Sequence, residues 1–218
     1  MNNYGRRIIL ASASPRRKEL LSQIGMDFEV RVSAADEKTQ CTEPSKMVQE
    51  LSRIKARDVF EAFPGKDRGN VLIIGADTIV CLDGRIMGKP QNKEQAEEML
   101  DALQGNTHQV YTGVTLIWQT PVRGLSQAVV REHSFYEKTS VSLFPMTVQE
   151  IADYVNTGEP LDKAGAYGIQ GKFAAYIRGI EGDFYNVVGL PTGRLYQELK
   201  KVLPAPGSAG EGRVGGDL

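Results

Sequence analysis

The sequence predicts an α/β protein built on a mixed β-sheet with flanking helices. Three observations carry that prediction. Short apolar runs of strand length alternate with segments whose apolar residues recur at helical spacing, as at 8–11 followed by Leu20, Leu21 and Ile24. The strongest strand signal, 71–82, ends in Asp83-Gly84, a dipeptide suited to a tight hairpin. Two long strand-like stretches, 107–118 and 126–144, are separated only by the 121–124 loop, with no helix between them. Strands joined that closely are antiparallel, so the sheet is mixed rather than purely parallel.

Composition narrows the class. At 218 residues the chain suffices for one substantial α/β domain or two small lobes. The domain is expected over 1–203; residues 204–218, rich in Pro, Gly and Ser, cannot bury a core and read as a disordered tail. A net charge of −1 argues against a dedicated nucleic-acid binder, so any polyanion site must concentrate charge locally. Two cysteines, Cys41 and Cys81, make neither a disulfide framework nor a four-ligand zinc site, and Cys81 falls in an apolar run. Absence of a membrane-length apolar stretch and of a secretory signal gives a cytoplasmic expectation with no membrane partner.

The elements follow in order. After the strand at 8–11, Ser14 is placed to cap a helix that Pro15 opens and Gly25 ends. Arg16 and Arg17 lie in its first turn, where the helix dipole disfavours cations; they mark either a bound anion, phosphate above all, or two ordinary surface arginines. A strand is expected at 28–33, then a polar loop with Asp36, Glu37 and Lys38. Pro44 opens a long helix with Val48, Leu51, Val59 and Ala62 on one face. Lys55 shares that face, so its ammonium either snorkels to solvent or enters a polar cleft. Inside 71–82 sits Asp77, whose carboxylate among Val, Ile and Leu requires a cation or strong hydrogen bonds. Gly88-Lys89-Pro90 is a stiff turn presenting a lysine. Asn92 with Gln95 and Thr147 with Glu150 read as capping boxes. The first precedes Ala96, Met99, Leu100 and Leu103; the second precedes a stripe of Val148, Ile151, Ala152 and Val155. A glycine-rich loop spans 162–171. Strands at 173–177 and 184–188 are expected to pair across Glu181-Gly182-Asp183, and Pro191 opens a last helix with Leu195, Leu199 and Val202 inward.

Missing motifs narrow the chemistry. Neither a P-loop, a dinucleotide fingerprint nor H-E-x-x-H occurs. The two histidines, His108 and His133, fall in alternating segments and read as half-exposed strand positions, so triad chemistry has no support. What is left is a set of charges in awkward places: Arg16, Arg17, Glu37, Lys55, Asp77, Lys89, Asp162 and Lys163. Cations that hold phosphates, with carboxylates that hold a divalent metal and activate water, are what phosphoanhydride hydrolysis needs.

Five blocks then resemble one family. These are Leu-Ala-Ser-Ala-Ser-Pro-Arg-Arg-Lys-Glu-Leu-Leu at 10–21, Gly-Ala-Asp-Thr-Ile-Val at 75–80, Gly-Lys-Pro at 88–90, Asp-Lys-Ala-Gly-Ala-Tyr-Gly-Ile-Gln-Gly at 162–171, and Asn-Val-Val-Gly-Leu-Pro at 186–191. In that order they are similar to the Maf family of nucleoside triphosphate pyrophosphatases. The resemblance implies a two-lobed α/β fold around a deep cleft, a homodimer, and cleavage of a nucleoside triphosphate to monophosphate and pyrophosphate with a divalent metal such as Mg or Mn. It implies Asp77 as proton acceptor, and Ser14, Arg16, Arg17, Lys55 and Lys89 around the triphosphate. Glu37 and Asp77 would hold the metal, while Arg16, Thr78 and Gln170 would select the base. Thr78 and Gln170 match the branch acting on dTTP and UTP, with modified pyrimidine nucleotides as further substrates. The alternatives are the 7-methyl-GTP branch and a nucleotide-binding regulator of cell division or septum formation. An amide at Gln170 suits the O4/N3–H edge of uracil or thymine because it offers a donor and an acceptor together.

Overall fold

The computed structural model describes residues 5–121 and 128–203. The tail at 204–218, most of the 121–124 loop and the start of the 126–144 strand lie outside the described residues. Strand β1 (Arg7–Leu10) leads through a short loop into helix α1 (Pro15–Gln23) and an edge strand β2 (Glu29–Val30), parallel to β1. Helix α2 (Pro44–Glu61) crosses to β3 (Val71–Leu82), which pairs in parallel with the other side of β1. From there the sheet turns antiparallel. Strand β4 (Arg85–Met87) folds back on β3, and after helix α3 (Lys93–Leu103) come β5 (Thr107–Thr120) and β6 (Val129–Leu143). Helix α4 (Val148–Asn156) and a run of 3-10 turns precede β7 (Ile177–Glu181), helix α5 (Phe184–Val188) and helix α6 (Thr192–Val202). The seven strands lie in the order β2-β1-β3-β5-β6-β7 with β4 beside β3. The mixed sheet is therefore as the sequence predicts.

Alternation along the strands divides the core. Ile8, Leu10, Leu72 and Ile74 join the larger cluster with residues of α1, α3, α4 and α6. Ile9, Ala11, Val71 and Ile73 face the other way and pack with Ala56, Val59 and Phe60 of α2. Two glycines bring α2 unusually close: a Cβ on Gly75 would collide with the Ser52 carbonyl, and one on Gly113 with the Val48 carbonyl. That close approach lets a side chain from the middle of α2 reach β3. Cys81 is buried in β3 as expected. Among the described residues, no helix is long and apolar enough to cross a membrane.

Several elements differ from the sequence reading. The 28–33 strand contracts to two residues, because β2 is an edge strand and Val32 beyond it is 60% exposed. Phe173 lies in a 3-10 turn and packs fully buried among Tyr154, Tyr167 and Tyr176. The strand is Ile177–Glu181, paired with β6, and 184–188 is helix α5. Asp183 decides this locally by accepting from the Tyr185 N–H as an N-cap, a signal stronger than the apolar pair Val187-Val188. Val148, at the first turn of α4, is exposed; Tyr154 joins Ile151 and Val155 in the buried stripe. Ala62 is exposed past the end of α2, where Phe60 and Phe63 turn inward instead. The reciprocal bond expected from Gln95 goes to the Gln91 N–H, one residue before the Asn92 cap. His108 is fully buried rather than half-exposed, since β5 is central and Tyr167 closes over it. Burial pushes its pKa down to about 4, so it is a neutral core group near pH 7. His133 is half-buried and meets Glu198 of α6 at 2.9 Å.

Candidate active site

β1 ends at Leu10 opposite Ile74, but β3 runs on to Leu82. Beside that overhang a cleft of about 600 Å³ opens. Ser14, Arg16, Arg17, Glu37, Lys55, Asp77, Thr78, Lys89 and Gln170, the residues nominated from sequence, all line it. Because side chains alternate along β3, Asp77 and Thr78 enter the cleft from opposite faces of the sheet.

Asp77 lies on the α2 side. Lys55 Nζ is 2.6 Å from Asp77 Oδ1 and 2.9 Å from Glu37 Oε2, so the lysine enters the cleft rather than snorkelling away. Lys55 and Asp77 side chains are 12% and 13% exposed, whereas Glu37 is 53% exposed on its loop. Asp77 Oδ2 has no protein partner among the described residues. Two carboxylates around one ammonium form a donor set that a small divalent cation could share. No group of three or more His, Cys, Asp or Glu able to hold a metal occurs among the described residues. Two carboxylates match an ion of the Mg²⁺ type, which keeps waters and takes phosphate oxygens beside one or two carboxylates.

Arg17 lies on the Thr78 side. The Ser14 hydroxyl accepts from the Arg17 backbone N–H, as predicted for an N-cap, though at a long 3.5 Å. The buried Arg17 guanidinium donates from Nε to the Gly189 carbonyl at 2.8 Å, from Nη1 to Ser12 Oγ at 3.1 Å and from Nη2 to Thr78 Oγ1 at 3.0 Å. A guanidinium has five N–H groups, so two are left for a ligand. Burial lowers its pKa, Asp77 opposes that, Arg16 adds to it and Glu37 opposes it; an arginine stays charged throughout.

The opposite wall is the 162–171 loop. Arg16 Nη1 reaches across to Asp162 Oδ2 at 3.1 Å, and Lys163 meets Asp162 Oδ1 at 2.6 Å. Burial disfavours the Asp162 carboxylate, but the bonds from Lys163 and Arg16 outweigh it and hold its pKa below the ordinary value. The Gly165 N–H donates to the Gly88 carbonyl, tying the loop to the Gly88-Lys89-Pro90 turn. Gly165 has φ +69° and its missing Cβ makes room for Val80. Tyr154 braces the loop from below: its hydroxyl donates to Glu159 and accepts from the Gly168 N–H. Gln170 is exposed at the cleft wall, and Lys89 makes no ion pair among the described residues.

Four further lining residues, Ser12, Gly189, Tyr167 and Glu159, add polar groups or an aromatic ring that the sequence does not single out. Ser12 and Gly189 lie within the family blocks but carry no charge, and what they offer, a hydroxyl and a carbonyl, becomes visible only against Arg17. Tyr167 lies in the glycine-rich block with the buried His108 behind it. Glu159 gave no signal at all; its carboxylate sits beside Gly168 and Gly171, around Gln170.

With cation-lined cleft and mixed sheet together, comparison with known proteins is decisive. Residues 7–202 match the family model described as Maf-like protein, and the chain belongs to the Maf family. Among curated relatives, a protein of Lachnoclostridium phytofermentans is 50% identical over 194 residues, covering 89% of this chain and 94% of that one. One from Agathobacter rectalis is 49% identical over 203 residues, covering 89% and 97%, and one from Bacillus anthracis 47% over 197, covering 90% and 95%. All three relatives are named dTTP/UTP pyrophosphatase.

Proposed function

We propose that this chain hydrolyses dTTP and UTP to the monophosphate and pyrophosphate, with modified pyrimidine nucleotides as further substrates. The observation that carries the reading is the juxtaposition of the Lys55–Asp77 pair with Arg17, whose fork keeps two donors free, in one cleft. The names of its relatives supply the nucleotide class.

In this reading Arg17, Lys89 and the Ser14 end of α1 hold the triphosphate, with Arg16 beside it. Lys55 keeps Asp77 oriented through Oδ1, leaving Oδ2 to accept a proton from water. That water attacks the α-phosphorus, and the bond from this phosphorus to the α–β bridging oxygen breaks. Pyrophosphate leaves with the electron pair, its new charge met by the cations already in place. A divalent metal held by Glu37 and Asp77 would supply further charge neutralisation when bound. Gln170 from the 162–171 loop, Thr78 from β3 and Arg16 from α1 set base preference. Residues 1–203 form the catalytic domain, and the enzyme acts on free nucleotides in the cytoplasm as a homodimer, not on nucleic acid or a membrane. The net charge of −1 accords with a soluble-nucleotide substrate.

Pyrophosphate release across dTTP, UTP, CTP, GTP and 7-methyl-GTP, with Mg²⁺ or Mn²⁺ and with chelator, tests this. Fastest turnover on dTTP and UTP, abolished by chelator, is expected. Preference for 7-methyl-GTP would overturn the base assignment, and undiminished turnover in chelator would overturn the metal.

A further inference from the structure

Thr112 lies on β5 directly across from Thr78 and is fully buried, behind the cleft rather than in it. Its hydroxyl donates to the Asn186 carbonyl at 2.9 Å and lies 2.9 Å from Thr78 Oγ1. These two contacts fix every proton. A carbonyl only accepts, so the single Thr112 proton goes to Asn186; Thr78 must then donate to Thr112. Arg17 only donates, so Thr78 accepts from Nη2. The chain runs one way, from Arg17 through Thr78 and Thr112 to Asn186. Its far end is firmly held: Asn186 Nδ2 donates to the Val110 carbonyl at 3.0 Å and to Thr139 Oγ1 at 2.9 Å. The same short helix, α5, leads to Gly189, whose carbonyl takes the Arg17 Nε–H. Two sides of the guanidinium are thus referred to one anchored element.

We propose that Thr112 is a positioning residue for the triphosphate grip. It turns the Thr78 proton away from the cleft, so Thr78 holds the Arg17 fork and faces substrate with an oxygen lone pair only. A group that Thr78 meets on the nucleotide must therefore be a donor. The inference rests on the pyrophosphatase reading for its kinetic test, but not for the geometry. Thr112→Val is suited to the test because the Asn186 carbonyl also accepts from the Gly189 N–H and stays bonded without the hydroxyl.

The experiment compares wild type, Thr112→Val, Thr112→Ser, Thr78→Val and the Thr78→Val/Thr112→Val double variant. Each is checked for folding by circular dichroism, then for kcat and KM on dTTP and UTP. Affinity for non-hydrolysable α,β-methylene-UTP is measured by calorimetry. Thr112→Val is expected to lower kcat/KM on both nucleotides by about tenfold, a fraction of the roughly 10²-fold that a 1 Å misplacement costs. Thr112→Ser should restore the wild-type values, and the double variant should be no worse than Thr78→Val, since one chain is broken twice. Wild-type behaviour of a folded Thr112→Val, multiplying losses, or a Ser variant as impaired as Val would each overturn the proposal. If wild type cleaves neither dTTP nor UTP, the function reading fails separately. The calorimetric series, repeated with inorganic pyrophosphate, would still decide whether Thr112 sets anion affinity.

Discussion

Arg16 and Arg17 are neighbours in the first turn of one helix, yet they belong to two kinds of wall. Arg17 points inward and is gripped by the Gly189 carbonyl at the end of α5, the Ser12 hydroxyl in the β1–α1 loop and the Thr78 hydroxyl of β3. Arg16 points across the cleft, 28% exposed, to an Asp162 that is 60% exposed on a loop. The hydrogen bonds of Arg17 are made to neutral groups, so its full charge is directed at the cleft. The charge of Arg16 is partly spent on a carboxylate that already holds Lys163. Orientation separates a firmly held guanidinium from an adjustable contact between walls, even where sequence gives the two residues the same surroundings.

The largest effect is expected at the proposed proton acceptor: Asp77→Asn should lower kcat by about 10²–10⁴-fold while preserving volume. Retention of half the turnover would remove Asp77 from the mechanism. Next, Arg17→Lys keeps the charge but cannot reproduce the fork, and should cost about 10²-fold in kcat/KM on every nucleoside triphosphate alike. A kinetic panel showing a loss on one base only would contradict the grip. On the other wall, Gln170→Glu removes an amide donor and adds charge, and should cost roughly 10–100-fold for dTTP and UTP but less for GTP and 7-methyl-GTP. Equal losses on all four would make Gln170 a loop residue rather than a reader of bases.

Arg16→Ala should cost less than about tenfold and less still in high salt, because an exposed ion pair is worth ~1 kcal/mol or less. An effect as large as that of Arg17→Lys would erase the distinction between the walls; a loss equal on every base would remove Arg16 from base selection. Smallest is the acid response of Asp162. Its folded pKa lies below 3.8, so its stabilising contribution is present above that value and disappears as pH falls through the lower folded value. Solvent screening of so exposed a carboxylate limits that contribution to ~1 kcal/mol or less. Acid unfolding curves of wild type and Asp162→Asn should therefore nearly coincide at neutral pH and converge further in acid. A gap of several kcal/mol at pH 7 would show the loop wall to be structural.

Much of the architecture is written locally. The apolar run of β3, the Asp83-Gly84 turn with φ of +49° and +81°, the Ser14 and Thr147 caps and the glycine ends at 25, 105 and 158 each follow from the preferences of a few adjacent residues. Charges in costly places, Asp77 within a strand and Lys55 on an apolar helix face, were legible as a site because burial without a partner is expensive. Tertiary structure alone decided which partner each one found. Lys55 reaches Asp77 because Gly75 and Gly113 admit α2 to the sheet, and nothing local to Lys55 encodes those glycines. Likewise, Asp183 starts helix α5 locally, but the bonds of Asn186 to the Val110 carbonyl and Thr139 fix where it sits, and the Gly189 carbonyl at its end then separates Arg17 from Arg16. The identity of a residue sets which bonds it can make, whereas direction and burial depend on chain segments distant in sequence. For that reason these cleft-lining residues could be nominated from the sequence, but not the different partners of the two arginines.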